Sequence, residues 1–324
     1  MCTGEVSIAD WYVARPVRII RTMTIELDRT DTDIETDTDA ELTAWAARFG
    51  PTLRAHAARH DADGTWVGES FDALRDAGML TLAVPEELGG MGATIRQVAL
   101  VQRELARHCG STALALAMHH HVTAFTAWRW RRSLPGAEAT LLKVAGGDTV
   151  IASTGGGDFT TPRGTATKVD GGWRVSGTKR FVSQSPVAAV MSTMFTYEDP
   201  ERGTRVLNMA VPFGEGVTVL DNWDTTGMRG TASNDVRVDD VFVPDERVLA
   251  DRPYGVVDPP LQVIVSIAMP IIAAVYLGIA EGAAAAAIEA VGPTDDPTRQ
   301  RLIGLMTTRL RVAGWALDGT GSSP

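Results

Sequence analysis

The chain has 324 residues and a formal net charge of −10 at pH 7, with 44% of its residues hydrophobic and 22% charged. That length allows two or three compact domains with a sizeable core. The acidic balance argues against a nucleic-acid partner, which needs clustered Lys and Arg; the two cysteines, Cys2 and Cys109, suggest neither a disulfide framework nor a zinc site and fit a reducing cytoplasm.

Residues 1–39 are expected to form a disordered leader. The first 23 residues lack a continuous apolar core after a basic start, so they do not read as a secretory signal, and Met23 is an alternative start. The acidic run ELDRTDTDIETDTDAE that follows is short of large apolar residues. Residues 40–148 read as a helical domain. Leu42, Trp45, Ala46, Phe49 and Leu53 recur at three- and four-residue spacing along one helix face. SFDALRDAG reads as a helix capped at Ser70 and closed near Gly78, and VPEELGGMG follows as a Gly-rich loop. Two more helices are expected between Thr94 and Trp130, broken at Cys109–Gly110–Ser111.

Near residue 149 the period changes from 3.6 to 2. GTATKVDGGWRVSGTKRFV reads as a hairpin around Asp170–Gly171–Gly172, and AAVMSTMFTY, TRVLNMAVPF, GVTVLDNW and ASNDVRVDDVFVP supply further strands. The expectation is a β domain over 149–245, a sandwich or barrel with Val236, Val238 and Val241 in its core. Residues 246–324 read as a second helical domain with one long helix and one shorter. LQVIVSIAMPIIAAVYLGIA (261–280) is uncharged and meets the length rule for a membrane span. Gln262, Ser266, Pro270 and Tyr276 interrupt it and no basic cluster flanks it, so it reads as a core helix and no membrane span is expected. The fold class is therefore α+β, in the order helices, β domain, helices.

Several residues invite chemistry. In VSGTKRFVSQSP, Phe181 and Ser183 are two apart, which on a strand puts a ring and a hydroxyl on one face. His119, His120 and His121 are consecutive, and on a helix consecutive side chains diverge by about 100°, so they do not converge on a metal. No metal site is expected. His56 and His60 share a face without a carboxylate motif, and Cys109 reads as a packing residue.

Four stretches, in this order, resemble the acyl-CoA dehydrogenase family: FDALRDAGMLTLAVPEELGGMG, WRVSGTKRFVSQSP, WDTTGMRGTASNDVRVDDVFVP and YLGIAEGAAAAAIEAV. The resemblance covers about residues 40–318 and implies a helical N-terminal domain, a β middle domain and a C-terminal helical bundle that would be incomplete here. It implies FAD between the β domain and the C-terminal helices. Phe181 would lie near the isoalloxazine, with Val182 beside it and Ser183 at the N5 edge. Ser153 or Thr154 would face the pyrimidine edge, and Gly155, Gly156 and Gly157 would bring backbone N–H groups close. Arg229, in a loop with Asp224, would lie near the substrate channel, unless the two form only a salt-bridged turn.

The activity implied is α,β-dehydrogenation of an acyl-CoA or related thioester, with hydride passing to FAD and on to a separate electron acceptor, in a homo-oligomer. That chemistry needs a carboxylate base for the α proton. The sequence departs from the family here. One family position falls near Ala268, the other beyond residue 324, and the nearest acids, Asp258 and Glu281, are each more than two helical turns from Ala268. No catalytic residue can be named. IASTGGGDFTTPRG also departs from the usual first flavin loop. Two alternatives follow: a flavin-dependent monooxygenase of the same architecture, which needs no such base, and a non-catalytic truncated remnant that folds poorly or only binds.

Overall fold

The computed structural model describes residues 35–147 and 149–320, so residues 1–34 of the expected leader lie outside the described residues. The first helix, α1 (Glu35–Ala47), already begins inside the segment expected to be disordered. Asp39 explains the difference, because it takes an ion pair from Arg96 at 3.0 Å and so ties α1 to the helix bundle. The apolar face Leu42 to Leu53 is shared between α1 and α2 (Gly50–Asp63), which break apart at Arg48–Phe49, where Pro51 opens α2. The next helix, α3 (Gly68–Asp76), starts two residues before the expected cap. Ser70 lies inside it, fully buried, and the start is set by Val67, whose N–H donates to the Gly230 carbonyl at 3.2 Å.

The helix α4 (Ile95–Ala106) is opened by a reciprocal capping box between Thr94 and Gln97. After the break at Cys109, α5 (Gly110–Trp130) runs through the middle of the helical unit, and α6 (Ala137–Ala145) closes it.

The β unit contains β1 (Ile151–Ser153), β2 (Thr165–Val169), β3 (Gly172–Val182), β4 (Val190–Asp199), β5 (Gly203–Pro212), β6 (Val217–Val219), β7 (Asn234–Pro244) and β8 (Val248–Pro253), with a one-turn helix α7 (Gly157–Thr160) between β1 and β2. Among the described residues the strands join in one sheet of order β6-β7-β3-β2-β4-β5-β8, with β1 parallel to β4. Among the described residues the ladder joins the halves where Thr165 on β2 pairs in parallel with Thr196 on β4. Trp173 and Val175 from one half and Met191, Phe195 and Leu207 from the other share a single core with Val236 and Val238. The sheet therefore folds over on itself. Strand β8 continues it past residue 245, where the β domain was expected to end, because β5 offers it an antiparallel partner.

The long helix α8 (Pro259–Val291) is capped by the Asp258 carboxylate, which accepts from Leu261 N–H at 3.1 Å. Of the described helices it alone is long and apolar enough to cross a membrane, and half of its most apolar 18-residue window is buried inside the protein. The outer side of α8 exposes Met269, Tyr276 and Ile288, and α9 (Pro297–Thr320) exposes Leu302, Leu305, Val312 and Trp315. One apolar cluster joins residues of α1, α4 and α5 with Met194 and Val206 of the sheet and Leu261, Ile264, Ile271 and Val275 of α8. Where the units meet, Phe125, Met194, Leu261 and Ile264 line a small internal gap.

Helices α4 and α8 touch backbone to backbone. A Cβ on Gly278 would stand 2.1 Å from the Arg103 carbonyl oxygen, and one on Gly282 would stand 2.5 Å from that of Arg107. Gly278→Val should therefore push the helices apart and lower stability by about 2–3 kcal/mol, in line with overpacking of a tight core. Urea unfolding with a midpoint equal to the parent's would show that this contact is not made.

Candidate functional site

The polar end of β3 does not follow strand alternation. Phe181 has φ +57° and Gln184 φ +55°, and the pairing with β7 slips between Lys179–Val236 and Val182–Asn234. The bulge separates the two side chains expected on one face. Phe181 is 62% exposed, and its ring meets Trp223 edge to face at 6.0 Å. Ser183 is 7% exposed and turns inward, where its hydroxyl shares a 2.8 Å hydrogen bond with Ser233. Ser233 in turn shares one of 2.7 Å with Thr231. Val182 is fully buried in the sheet core. Its backbone position, not its side chain, is what adjoins the site.

Gln184 sits behind this hydroxyl chain. Its amide N–H donates to the Ile151 carbonyl at 2.9 Å, and its Oε1 is buried with no partner among the described residues. The glycine loop begins beside it. Thr154 is turned into the sheet, with its hydroxyl bonded to Thr193 at 2.7 Å and its N–H to the Ser192 carbonyl. Ser153 has a weaker partner, the Met118 sulfur at 4.0 Å. Gly155, Gly156 and Gly157 are exposed. Gly156 has φ +51°, and nothing lies within 4 Å of where its Cβ would be, so the backbone is open to a ligand there.

A buried ion pair anchors this loop. Asp158, 1% exposed, accepts from Lys179 Nζ at 3.1 Å, and Lys179 is fully buried on β3. The same ammonium donates to the carbonyls of Arg163 and Met194 and lies 4.1 Å over the Phe195 ring. Burial pulls its pKa down to about 8, against the attraction of Asp158.

Arg229 is used by the protein itself. It donates to the Asp61 carbonyl at 2.7 Å, the Thr225 carbonyl at 2.9 Å and Asp224 at 3.0 Å, pinning its loop to the end of α2. That is the geometry of the salt-bridged turn. The two acids near Ala268 are committed as well. Asp258 caps α8, and Glu281 makes a two-pronged ion pair with Arg103. Ala268 itself is buried.

The three histidines diverge as their helix spacing requires. His119 donates from Nε2 to the Leu80 carbonyl at 2.9 Å and accepts at Nδ1 from Ile151 N–H at 3.1 Å. His120 donates to the Met79 carbonyl, and His121 to that of Ala117. His60 pairs with Glu69 at 2.8 Å rather than with His56. Among the described residues no group of three or more His, Cys, Asp or Glu could hold a metal ion. Cys109 is buried and accepts from the Thr112 hydroxyl at 3.1 Å.

The model of the acyl-CoA dehydrogenase N-terminal domain matches residues 36–130, and that of the middle domain residues 152–241. The chain belongs to the acyl-CoA dehydrogenase family. Within it, the chain is similar to the amino sugar nitrososynthase DnmZ of Streptomyces peucetius, with 34% identity over 73% of this chain and 60% of the relative. It is 31% identical to the dibenzothiophene monooxygenase of Rhodococcus erythropolis, over 78% of this chain and 62% of that protein. A solved structure of KijD3 with FMN and dTDP-3-amino-2,3,6-trideoxy-4-keto-3-methyl-D-glucose matches with a TM-score of 0.79 and 32% identity, covering 90% of this chain and 76% of that one. The chain thus spans about three fifths of the length of these two sequence relatives.

Sequence reasoning missed Trp223, Gln184, Thr231, Ser233 and the Asp158–Lys179 pair. One signal was present: Val175, Gly177 and Lys179 alternate along β3, which puts the lysine on the core side.

Proposed function

We propose that this chain is the flavin-binding part of an FMN-dependent monooxygenase, acting on an amino sugar nucleotide or a similarly polar substrate, and not an FAD-dependent acyl-CoA dehydrogenase. The observation that carries this reading is the similarity of the chain to an amino sugar nitrososynthase, a dibenzothiophene monooxygenase and a structure with bound FMN. Ala268, at the one family base position that falls within this chain, is apolar and buried, and the nearest acids, Glu281 and Asp258, are engaged with Arg103 and the start of α8.

The residues fit a flavin. Phe181 and Trp223 present ring surface, Gln184 Oε1 lacks a donor, and Gly156 leaves an open backbone. Phe181 would stack on the ring system, and Ser183 would meet its N5 edge. Ser153 and Gln184 would meet the pyrimidine edge, and Gly155 to Gly157 the phosphate. When bound and reduced, the flavin would supply two electrons to molecular oxygen, one atom of which goes to substrate and the other to water. The protein's task is then to hold the ring and exclude bulk water, with no base required.

With pre-reduced FMN and oxygen, the protein should oxygenate a dTDP-amino sugar. A saturated acyl-CoA should leave its flavin oxidised in the absence of air, and rapid anaerobic bleaching by an acyl-CoA would restore the dehydrogenase reading. Phe181→Ala should weaken FMN binding about five- to tenfold, the worth of one aromatic stacking contact, as read by quenching of flavin fluorescence. Unchanged affinity would place the ring elsewhere.

A further inference from the structure

Behind Ser183 three hydroxyls stand in line. Ser183 and Ser233 are 2.8 Å apart, Ser233 and Thr231 are 2.7 Å apart, and the Thr231 hydroxyl donates to the Met228 carbonyl at 2.9 Å. Their residues are 7%, 5% and 0% exposed. The row is assembled by the loop before β7 folding against the end of β3.

Each hydroxyl carries one proton and accepts at its oxygen. The row therefore has two complete arrangements. In the inward one, Ser183 donates to Ser233, Ser233 to Thr231 and Thr231 to the Met228 carbonyl, which leaves Ser183 offering a lone pair to the site. In the outward one, Thr231 donates to Ser233 and Ser233 to Ser183, which leaves Ser183 offering a proton. The Met228 carbonyl is not stranded by the change, because it also accepts from Thr231 N–H at 3.1 Å and Trp223 Nε1–H at 3.2 Å. Passing between the two takes three rotations about C–O bonds. No covalent bond breaks and no net proton moves.

We propose that Thr231 and Ser233 are positioning residues that let Ser183 present a proton to the N5 edge of an oxidised flavin and a lone pair to the same edge of a reduced one. This rests on the reading that Ser183 meets N5. An oxidised flavin carries a lone pair at N5 and a reduced one carries N–H, so a donor locked in one direction would suit one state alone. Here Ser183 turns its own proton inward when it must accept, and Ser233 and Thr231 give that proton an acceptor.

Removing either partner leaves a buried hydroxyl proton without an acceptor in the inward arrangement, whereas the outward arrangement keeps every proton bonded. The penalty therefore falls on the reduced state. In Ser233→Ala the orphaned proton is on Ser183, and in Thr231→Val it is on Ser233, two hydrogen bonds from the flavin.

The test is the affinity of the full chain for oxidised and for dithionite-reduced FMN, titrated without air, together with the bound flavin's two-electron potential from a dye equilibrium. Ser233→Ala and Thr231→Val should each weaken reduced-flavin binding about tenfold more than oxidised, the cost of an unsatisfied buried donor, which equals a potential about 30 mV lower. Thr231→Ser, which keeps the hydroxyl, should restore the parent's values, and a thermal melt checks that each variant is folded. Should Ser233→Ala not fold, the contrast between Thr231→Val and Thr231→Ser decides alone. A shift in Ser183→Ala with none in Ser233→Ala or Thr231→Val would overturn the relay and leave the flavin reading standing. FMN that binds identically to all of them, Ser183→Ala included, would overturn both.

Discussion

Lys179→Met should lower the thermal midpoint by about 5–8 °C and weaken flavin binding in the same protein. The ammonium of Lys179 is fully buried and Asp158 is 1% exposed, so removing one partner leaves the other's charge in the interior. Breaking a buried pair in this way costs roughly 3–5 kcal/mol, and each kcal/mol is worth about 1.5–2 °C in a chain of this size. Asp158 lies in the turn that follows Gly155, Gly156 and Gly157, and Lys179 also holds the Arg163 carbonyl at the far end of the loop. The substitution thus loosens the glycine loop from both sides. Replacing both charges together, as Asp158→Leu with Lys179→Met, should recover part of the lost stability, because no unpaired charge remains. A single variant that melts like the parent would show that the pair is solvated in solution.

The second large effect is acid sensitivity. Burial holds His119 down at about 4, His120 at about 3 and His121 at about 4, against 6.5 for an exposed imidazole. All three are neutral donors to carbonyl groups in the folded chain. An unfolded imidazole takes up its proton near pH 6.5, whereas the folded ones resist it to about pH 4. Their contribution is therefore complete above pH 6.5 and is lost as the pH falls from there toward 4. At about 1.4 kcal/mol per pH unit per group, the sum reaches several kcal/mol, a large part of a typical folding free energy. Melting followed by circular dichroism should show the midpoint falling steeply between pH 6.5 and 4.5, and more gently in His120→Gln. A midpoint flat from pH 7 to 5 would mean that the imidazoles are not held neutral.

Much of the architecture was legible because it is written in local signals. Hydrophobic period separates helices from strands, and four family motifs in order name the fold. The site was legible only as a set of residue types. Phe181 and Ser183 were read correctly as polar and aromatic neighbours and wrongly as sharing a face, because the slip in pairing between β3 and β7 comes from tertiary register and not from either strand's composition. Strand β8 reads as VLADRP, with an acid, a base and a proline, and becomes a strand only because the edge of β5 is there to pair with it. Ser233 and Thr231 were not singled out for a similar reason: the partner that gives them meaning, Ser183, is 50 positions from Ser233 in the chain. Asp158 and Lys179 are 21 apart, and only the fold brings their charges together.

The apolar cluster that runs from Ala46 through Met194 and Val206 to Val275 has a consequence for how this chain could be rebuilt. In a modular protein the units can be exchanged, since each keeps its own core. Here the inner face of α8 and the end of α5 complete the packing around Met194, at the gap lined by Phe125, Leu261 and Ile264. A β unit transplanted without those helices would keep its own core but expose Met194 and Val206 on the side nearest Asn208 and Arg252. Substitution at such a seam is expected to proceed by matched changes on α5, β4 and α8.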